Sequence, residues 1–232
     1  MGNTAHTELF SETMQALEAA GKAQYRKIYA RHGAGENQFG VSTADLKKIS
    51  KRIKANHSLA TQLWATHNYD AMTLALMIAD PKQFTEAQAQ AWVEQVYARL
   101  LAGELGNLVA KTPFARTLAE RWIDSDSEWI AYAGWCVISN LAGSDLADSY
   151  FEAMLSRVER SIHTSKNYVR YAMNNALISI GVRSEHLTAL AIEAAQRIGT
   201  VEVDHGDTSC ETPAAIPYIH KTLAHRQKKT KV

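Results

Sequence analysis

Apolar residues recur along this chain at helical spacing and almost nowhere in the alternation a strand requires, which restricts the fold to packed helices. In residues 45–54, Leu46, Ile49 and Ile53 fall at i, i+3 and i+7, while Lys47, Lys48, Lys51, Arg52 and Lys54 take the remaining arc. Ser42 followed by Asp45 reads as a capping box, and Asp45 also suits the positive end of the helix. Asn56 and His57 close it. In 166–180 the stripe runs through Val169, Ala172, Met173, Ala176, Leu177 and Ile180 up to Gly181. Residues 126–142 carry another, of Trp129, Tyr132, Ala133, Cys136, Val137 and Leu141.

The same signals place helices at 7–20, ending at Gly21, and at 23–31, ending in His32-Gly33-Ala34-Gly35. Helices at 59–66 and 69–79 form a pair stopped by Pro81. One long helix is expected at 85–101, with Trp92, Val96 and Leu100 in register, then a short connection bracketed by Gly103 and Gly106. Pro113 starts a helix that ends at Trp122, and Asp124 or Ser125 caps the next. Gly143-Ser144 precedes a helix at 146–158, and Ser184 caps one that reaches Ile198. A last helix covers 214–224, followed by a frayed basic tail at 225–232. Helix pairs recur about every 35 to 45 residues, the spacing of HEAT-type arrays. Short turns make neighbours antiparallel, and each pair must cover the next to bury its stripe. The expected fold is all-α: antiparallel helix pairs stacked into a curved superhelix, one domain over 1–232, with a closed bundle as the alternative.

At 232 residues the chain is long for one compact core, a limit that a linear stack does not meet. No apolar run is long enough to span a bilayer, and residues 1–12 lack the apolar stretch of a secretory signal. Cys136 and Cys210 are isolated thiols, which fit a reducing compartment. A cytoplasmic monomer with no membrane contact is the expectation. The formal net charge is +1, so any surface that holds a polyanion must be local.

Three groups of side chains offer chemistry. The basic face at 45–54 can track phosphates or simply be solvated. A second polar arc, Lys166, Asn167, Arg170, Tyr171 and Asn174, suits phosphates and base edges, or ties carbonyls between helices. Residues 200–213 have no helical period and hold Asp204, His205 and Cys210 within seven residues. A carboxylate, an imidazole and a thiol can ligate a metal or arm Cys210 as a nucleophile. The spacing is not that of a zinc site, and a structured turn with Gly206 at positive φ explains the same residues. Of the five tryptophans, Trp92, Trp122 and Trp129 lie in stripes or at helix ends and read as core, whereas Trp135 is not so placed; an outward tryptophan would stack on bases. There is no Gly-rich phosphate loop, no His-Glu-x-x-His and no serine elbow, so no cofactor or metal is called for.

Tyr25-Arg26-Lys27-Ile28-Tyr29 through Phe39-Gly40-Val41-Ser42-Thr43 resembles the N-terminal part of the DNA alkylation repair family. These are bacterial HEAT-like repeat proteins whose best-known members are alkylpurine DNA glycosylases. Ser127-Glu128-Trp129-Ile130 and Asn167-Tyr168-Val169-Arg170-Tyr171-Ala172 resemble later repeats, so the likeness covers most of 20–198. It implies a concave, locally basic groove that cradles duplex DNA. In the glycosylase members it further implies tryptophans on the lesion, an aspartate that assists loss of the cationic base, and an arginine beside them. This chain departs from that pattern. Residues 103–111 hold no tryptophan and put Asn107 about where the aspartate is expected. Asn174-Asn175 stand where a tryptophan follows in active members, and a Trp-x-Arg-Arg pattern becomes Trp129-Ile130-Ala131-Tyr132. An amide cannot supply the negative charge that stabilises a developing oxocarbenium. Arg170 matches. The turn at 203–213 looks like the mark of a family branch and imports no chemistry. The resulting expectation is a divergent member that binds double-stranded or structured DNA, with Lys47, Lys51, Arg52, Lys166 and Arg170 on phosphates and Asn174 beside them. A glycosylase or other enzyme using Asp204, His205 and Cys210, and a protein-interaction scaffold, are the alternatives.

Overall fold

The structure is a computed structural model that describes residues 2–230, and the side chains of 7–228. Met1, at the head of the segment read above for a signal, and Lys231 and Val232, at the end of the basic tail, lie outside the described residues. Among the described residues every regular element is helical, and the one strand-like pairing is an isolated bridge between Gly21 and Val41. The chain divides into two compact units, 1–112 and 113–232.

The first unit contains α1 (Gly2–Ala20), α2 (Ala23–Arg31), α3 (Thr43–Ile53), α4 (His57–Trp64), α5 (Tyr69–Ile78), α6 (Glu86–Glu94) and α7 (Arg99–Val109). α3, α5 and α7 stack side by side in one layer; α4 packs on α5 and on α1, and α6 on α7. Leu46, Leu59, Leu63, Met72, Leu74, Leu101 and Leu105 fill the space between the layers. Trp64 and Trp92 stack at a centroid distance of 4.3 Å, with Phe84 edge-on to Trp92 at 5.0 Å.

The second unit contains α8 (Ala115–Trp122), α9 (Glu128–Leu141), α10 (Asp148–Ser161), a 3-10 turn (Ile162–Thr164), α11 (Asn167–Gly181), α12 (Glu185–Ile198) and α13 (Ala215–Thr230). α9, α11 and α13 form one layer; α10 and α12 pack together behind, and α8 pairs with α9. The repeat is written into the long-range hydrogen bonds. In the first unit His57–Gln88 and Trp64–Gln95 each join residues 31 apart. In the second, Arg157–Asp124, Arg183–Asp148, Arg197–Glu159 and Tyr168–Glu128 join residues 33, 35, 38 and 40 apart. Each bond ties one pair to the next, as nearest-neighbour stacking requires.

α3 starts as its sequence indicates. Ser42 Oγ accepts from the Asp45 N–H at 3.1 Å, and the Ser42 hydroxyl donates to the Asp45 carboxylate at 2.8 Å. Elsewhere tertiary packing moves the boundaries. The expected helix at 85–101 is two helices, because the chain turns at 95–98 to bury Val96 and Ala98 and to bring Gln95 Oε1 within 2.9 Å of Trp64 Nε1. Gly103 and Gly106 are not in a connection but inside α7. There the buried stripe Leu101, Ala102, Leu105, Leu108 and Val109 outweighs a propensity cost of about 1 kcal/mol per glycine. Pro113 sits in the turn before α8, and the N-cap of α9 is Ser127 instead of Asp124 or Ser125. α13 continues through 225–230, where a frayed tail was expected. Trp135, which the stripes did not place, is 1% exposed, whereas Trp129, read as core, is half-buried.

Candidate nucleic-acid interface

The first unit hangs a cationic helix from a loop that a buried carboxylate holds. The Asn68 side chain caps α5 by accepting from the Asp70 and Ala71 N–H groups, both at 3.1 Å, which fixes Asp70 in the first turn. Asp70 is fully buried, and its carboxylate accepts from Phe39 N (2.6 Å), Gly40 N (3.0 Å) and Val41 N (2.8 Å). Three N–H donors and the positive end of α5 together compensate the buried charge. Gly40 has φ +78°, and a Cβ there would lie 2.6 Å from the Lys22 carbonyl oxygen and 2.7 Å from Arg26 N, so only glycine lets the loop approach α2. The loop then holds α2 by several bonds. Lys22 N donates to the Gly40 carbonyl (2.9 Å), Arg26 Nε to that of Phe39 (3.0 Å), and the Tyr29 hydroxyl to that of Val41 (2.7 Å). Gln38 Nε2 donates to the Arg26 carbonyl (3.3 Å), and the Tyr29 ring packs on Tyr69 at 5.3 Å. α2 itself contributes no buried residue.

Charge is segregated on this scaffold. Residues 22–54 carry nine basic side chains, Lys22, Arg26, Lys27, Arg31, Lys47, Lys48, Lys51, Arg52 and Lys54, against Glu36 and Asp45. All nine are exposed. Subtracting them from the chain totals of 25 basic and 24 acidic leaves 16 against 22 elsewhere. Asp45 pairs with Lys48 at 2.9 Å and Lys22 at 3.7 Å, and hydrogen bonds from Lys48 and Ser42 hold its carboxyl below the usual range. Burial, then the charges of Arg99 and Arg31, keep the His32 imidazole below its ordinary pKa. Lys47, Lys51 and Arg52 thus belong to a longer basic stretch of the chain than their own helix suggested. Lys22, Arg26, Lys27 and Arg31 were missed because they fall outside that helix; a windowed charge count would have found them.

The second unit places its candidates differently. Lys166 is exposed at the N-cap of α11, and its ammonium donates to the Asp126 carbonyl. Arg170 is half-buried, with Nε enclosed and without a hydrogen-bond partner. Asn174 is 2% exposed and its amide donates to the Pro213 carbonyl at 2.9 Å. Asn167 pairs with the backbone of Asp204 in both directions, at 2.7 and 2.8 Å. α11 therefore grips the irregular segment near both ends. Within it the Asp204 carboxylate accepts from Gly206 N (2.8 Å), and Gly206 has φ +62°. Thr208 Oγ1 donates to the His205 carbonyl (2.9 Å) and accepts from Cys210 N (3.2 Å), and His205 Nε2 lies 2.9 Å from Thr212 Oγ1. These bonds close turns of the backbone. The His205 ring meets Tyr171 edge-on at 5.4 Å, and Tyr168 stacks on Trp129 at 5.5 Å. Among the described residues, no three His, Cys, Asp or Glu side chains are grouped to hold a metal ion. No helix among them is long and apolar enough to cross a membrane. Asn107 is half-buried in α7, its Nδ2 3.4 Å from Glu104 Oε2.

Comparison with known proteins agrees with this architecture. The model of the DNA alkylation repair enzyme family matches residues 13–219. The chain is 33% identical to the uncharacterized protein Lin0241 of Listeria innocua over 219 residues, which cover 91% of this chain and 96% of that one. It is 32% identical, with the same coverage, to the uncharacterized protein Lmo0209 of Listeria monocytogenes. A solved structure superposes with a TM-score of 0.85 at 36% identity over 94% of each chain; it is described as representing a new family of proteins related to the HEAT-like repeat DNA glycosylases with affinity for branched DNA structures.

Proposed function

This chain belongs to the DNA alkylation repair enzyme family, and we propose that it binds DNA, prefers branched or otherwise distorted forms, and releases no base. The observation that carries the proposal is the set of nine exposed cations at 22–54 in a chain whose remaining residues are net acidic. A nearly neutral protein attracts a polyanion only through such a local surplus. The affinity of the structural relative for branched DNA supports the preference, and Asn107 in place of a carboxylate supports the absence of base release.

The test is a salt titration of binding to a three-way junction and to a blunt duplex. Each phosphate engaged on duplex DNA contributes about −0.9 to the slope of log K against log salt, so about five contacts give a slope of roughly −4 to −5. Joint replacement of Lys47, Lys51 and Arg52 by Gln is expected to make the slope shallower by about 0.9 per contact removed. Absence of salt-sensitive binding at low ionic strength, or an unchanged slope in the triple variant, overturns the proposal. Release of alkylated purine from duplex DNA by the wild-type protein overturns its second half.

A further inference from the structure

We infer that α2 reads the branch point itself, with the Ile28 side chain entering between bases that a branch leaves unstacked. This rests on the DNA-binding reading above and adds to it the feature of DNA that is recognised. Among the described residues the large exposed hydrophobics are Ile28, Leu100 and Tyr218, with Ile28 at 42% exposure. A singly exposed apolar side chain needs no explanation in itself. The setting of Ile28 does. It lies on a nine-residue helix with no buried residue and no carboxylate, with Gln24, Lys27 and Arg31 at i−4, i−1 and i+3. A helix this short has little stability of its own. Here bonds from Lys22, Arg26 and Tyr29 to the 35–41 loop, and from Gln38 of that loop to the Arg26 carbonyl, fix it in place, although none of its residues is buried. The fold thus displays a cationic helix with an apolar tooth.

Charge identifies the occupant. Lys27 and Arg31 lie four apart on one side of α2, beside Ile28, where they can meet the phosphates of a strand whose bases the side chain enters. In continuous duplex the bases are stacked, and an aliphatic wedge must first separate a step, which opposes binding. At a branch that stacking is already interrupted. Burial of Ile28 against base faces then adds affinity for the branched form alone.

Ile28→Ala tests this in the full-length protein, since an exposed residue can be truncated without opening a cavity. Binding is measured to a three-way junction and to a blunt duplex of equal length, with 2-aminopurine at the branch reporting local unstacking. The wild type is expected to prefer the junction and to raise 2-aminopurine fluorescence. Ile28→Ala should keep duplex affinity and salt slope, lose about tenfold in junction affinity, and lose the fluorescence rise. Ile28→Leu should retain both. If Ile28→Ala matches the wild type in junction preference and fluorescence, the wedge is wrong while DNA binding stands. If the wild type binds neither DNA in a salt-sensitive way, the broader reading fails and takes the wedge with it.

Discussion

Asp70→Asn removes one charge and almost no volume, and the geometry predicts a large loss. Phe39 N and Gly40 N both donate to Asp70 Oδ2, and Val41 N donates to Oδ1. An asparagine with its oxygen at the Oδ2 position keeps two of these bonds, now to a neutral acceptor. Its amide nitrogen then faces the Val41 N–H, donor against donor, at a position that is buried. Losing a hydrogen bond to a charged group costs about 1.5–3 kcal/mol, and the orphaned N–H adds a desolvation penalty of about 1–3 kcal/mol. The two losses overlap, since both concern the same N–H, so a total of roughly 3–4 kcal/mol is expected. That is a large part of the roughly 5–15 kcal/mol by which a native protein is stable. Urea unfolding followed by near-ultraviolet circular dichroism, to which the stacked Trp64–Trp92 pair contributes, measures it. A second readout follows from connectivity, because the 39–41 loop is what α2 hangs from. DNA affinity should therefore fall even at temperatures where the variant is still folded. If the variant stays within about 0.5 kcal/mol of wild type, the change seen for a surface substitution, the carboxylate does not hold the loop.

Two further outcomes follow from the second unit. Arg183, 16% exposed in its side chain, donates to Asp148 Oδ1 (2.8 Å) and to the carbonyls of Ala142, Ser144 and Leu146 (2.9, 2.6 and 2.6 Å), with its guanidinium over the Phe151 ring; Arg183→Lys cannot span this fork and should cost about 2–4 kcal/mol, and a melting temperature within a degree of wild type would contradict it. Hydrogen bonds from Ser184 and Arg183 hold the Asp148 carboxyl below the usual range, so its contribution is complete above the ordinary carboxylate pKa of about 4 and fades as pH falls through the depressed value; acid unfolding curves should show a steeper loss below about pH 4 in wild type than in Asp148→Asn.

How much of the fold was legible follows from where its determinants lie. α3 and α12 are set by their stripes and the serines that cap them, and α11 by its stripe, so their positions could be read directly. The break between α6 and α7 could not. Val96 and Leu100 continue the helical register of Trp92, and no glycine or proline marks the turn. What ends α6 is a partner 31 residues away, the Trp64 indole N–H on Gln95. The glycines of α7 misled for the matching reason, that a buried apolar stripe decides a segment whose local propensity points elsewhere.

The candidate site divides in the same way. Lys47, Lys51 and Arg52 were legible because one amphipathic helix shows them. Arg170 and Asn174 share an arc of α11 and look alike in sequence, yet the Asn174 amide is buried on the Pro213 carbonyl, a contact 39 residues distant. α2 was the opposite case. Nothing in its own residues says that it is displayed, because the bonds that display it come from the 35–41 loop and, through that loop, from Asp70. Its charge, however, was in plain view. A chain of net charge +1 was expected to hold a polyanion only through a local surplus, and nine of its 25 basic residues fall within 22–54 with two acids among them. On the proposed reading, such a site depends on the first unit folding around Asp70, whose carboxylate holds the loop that carries α2.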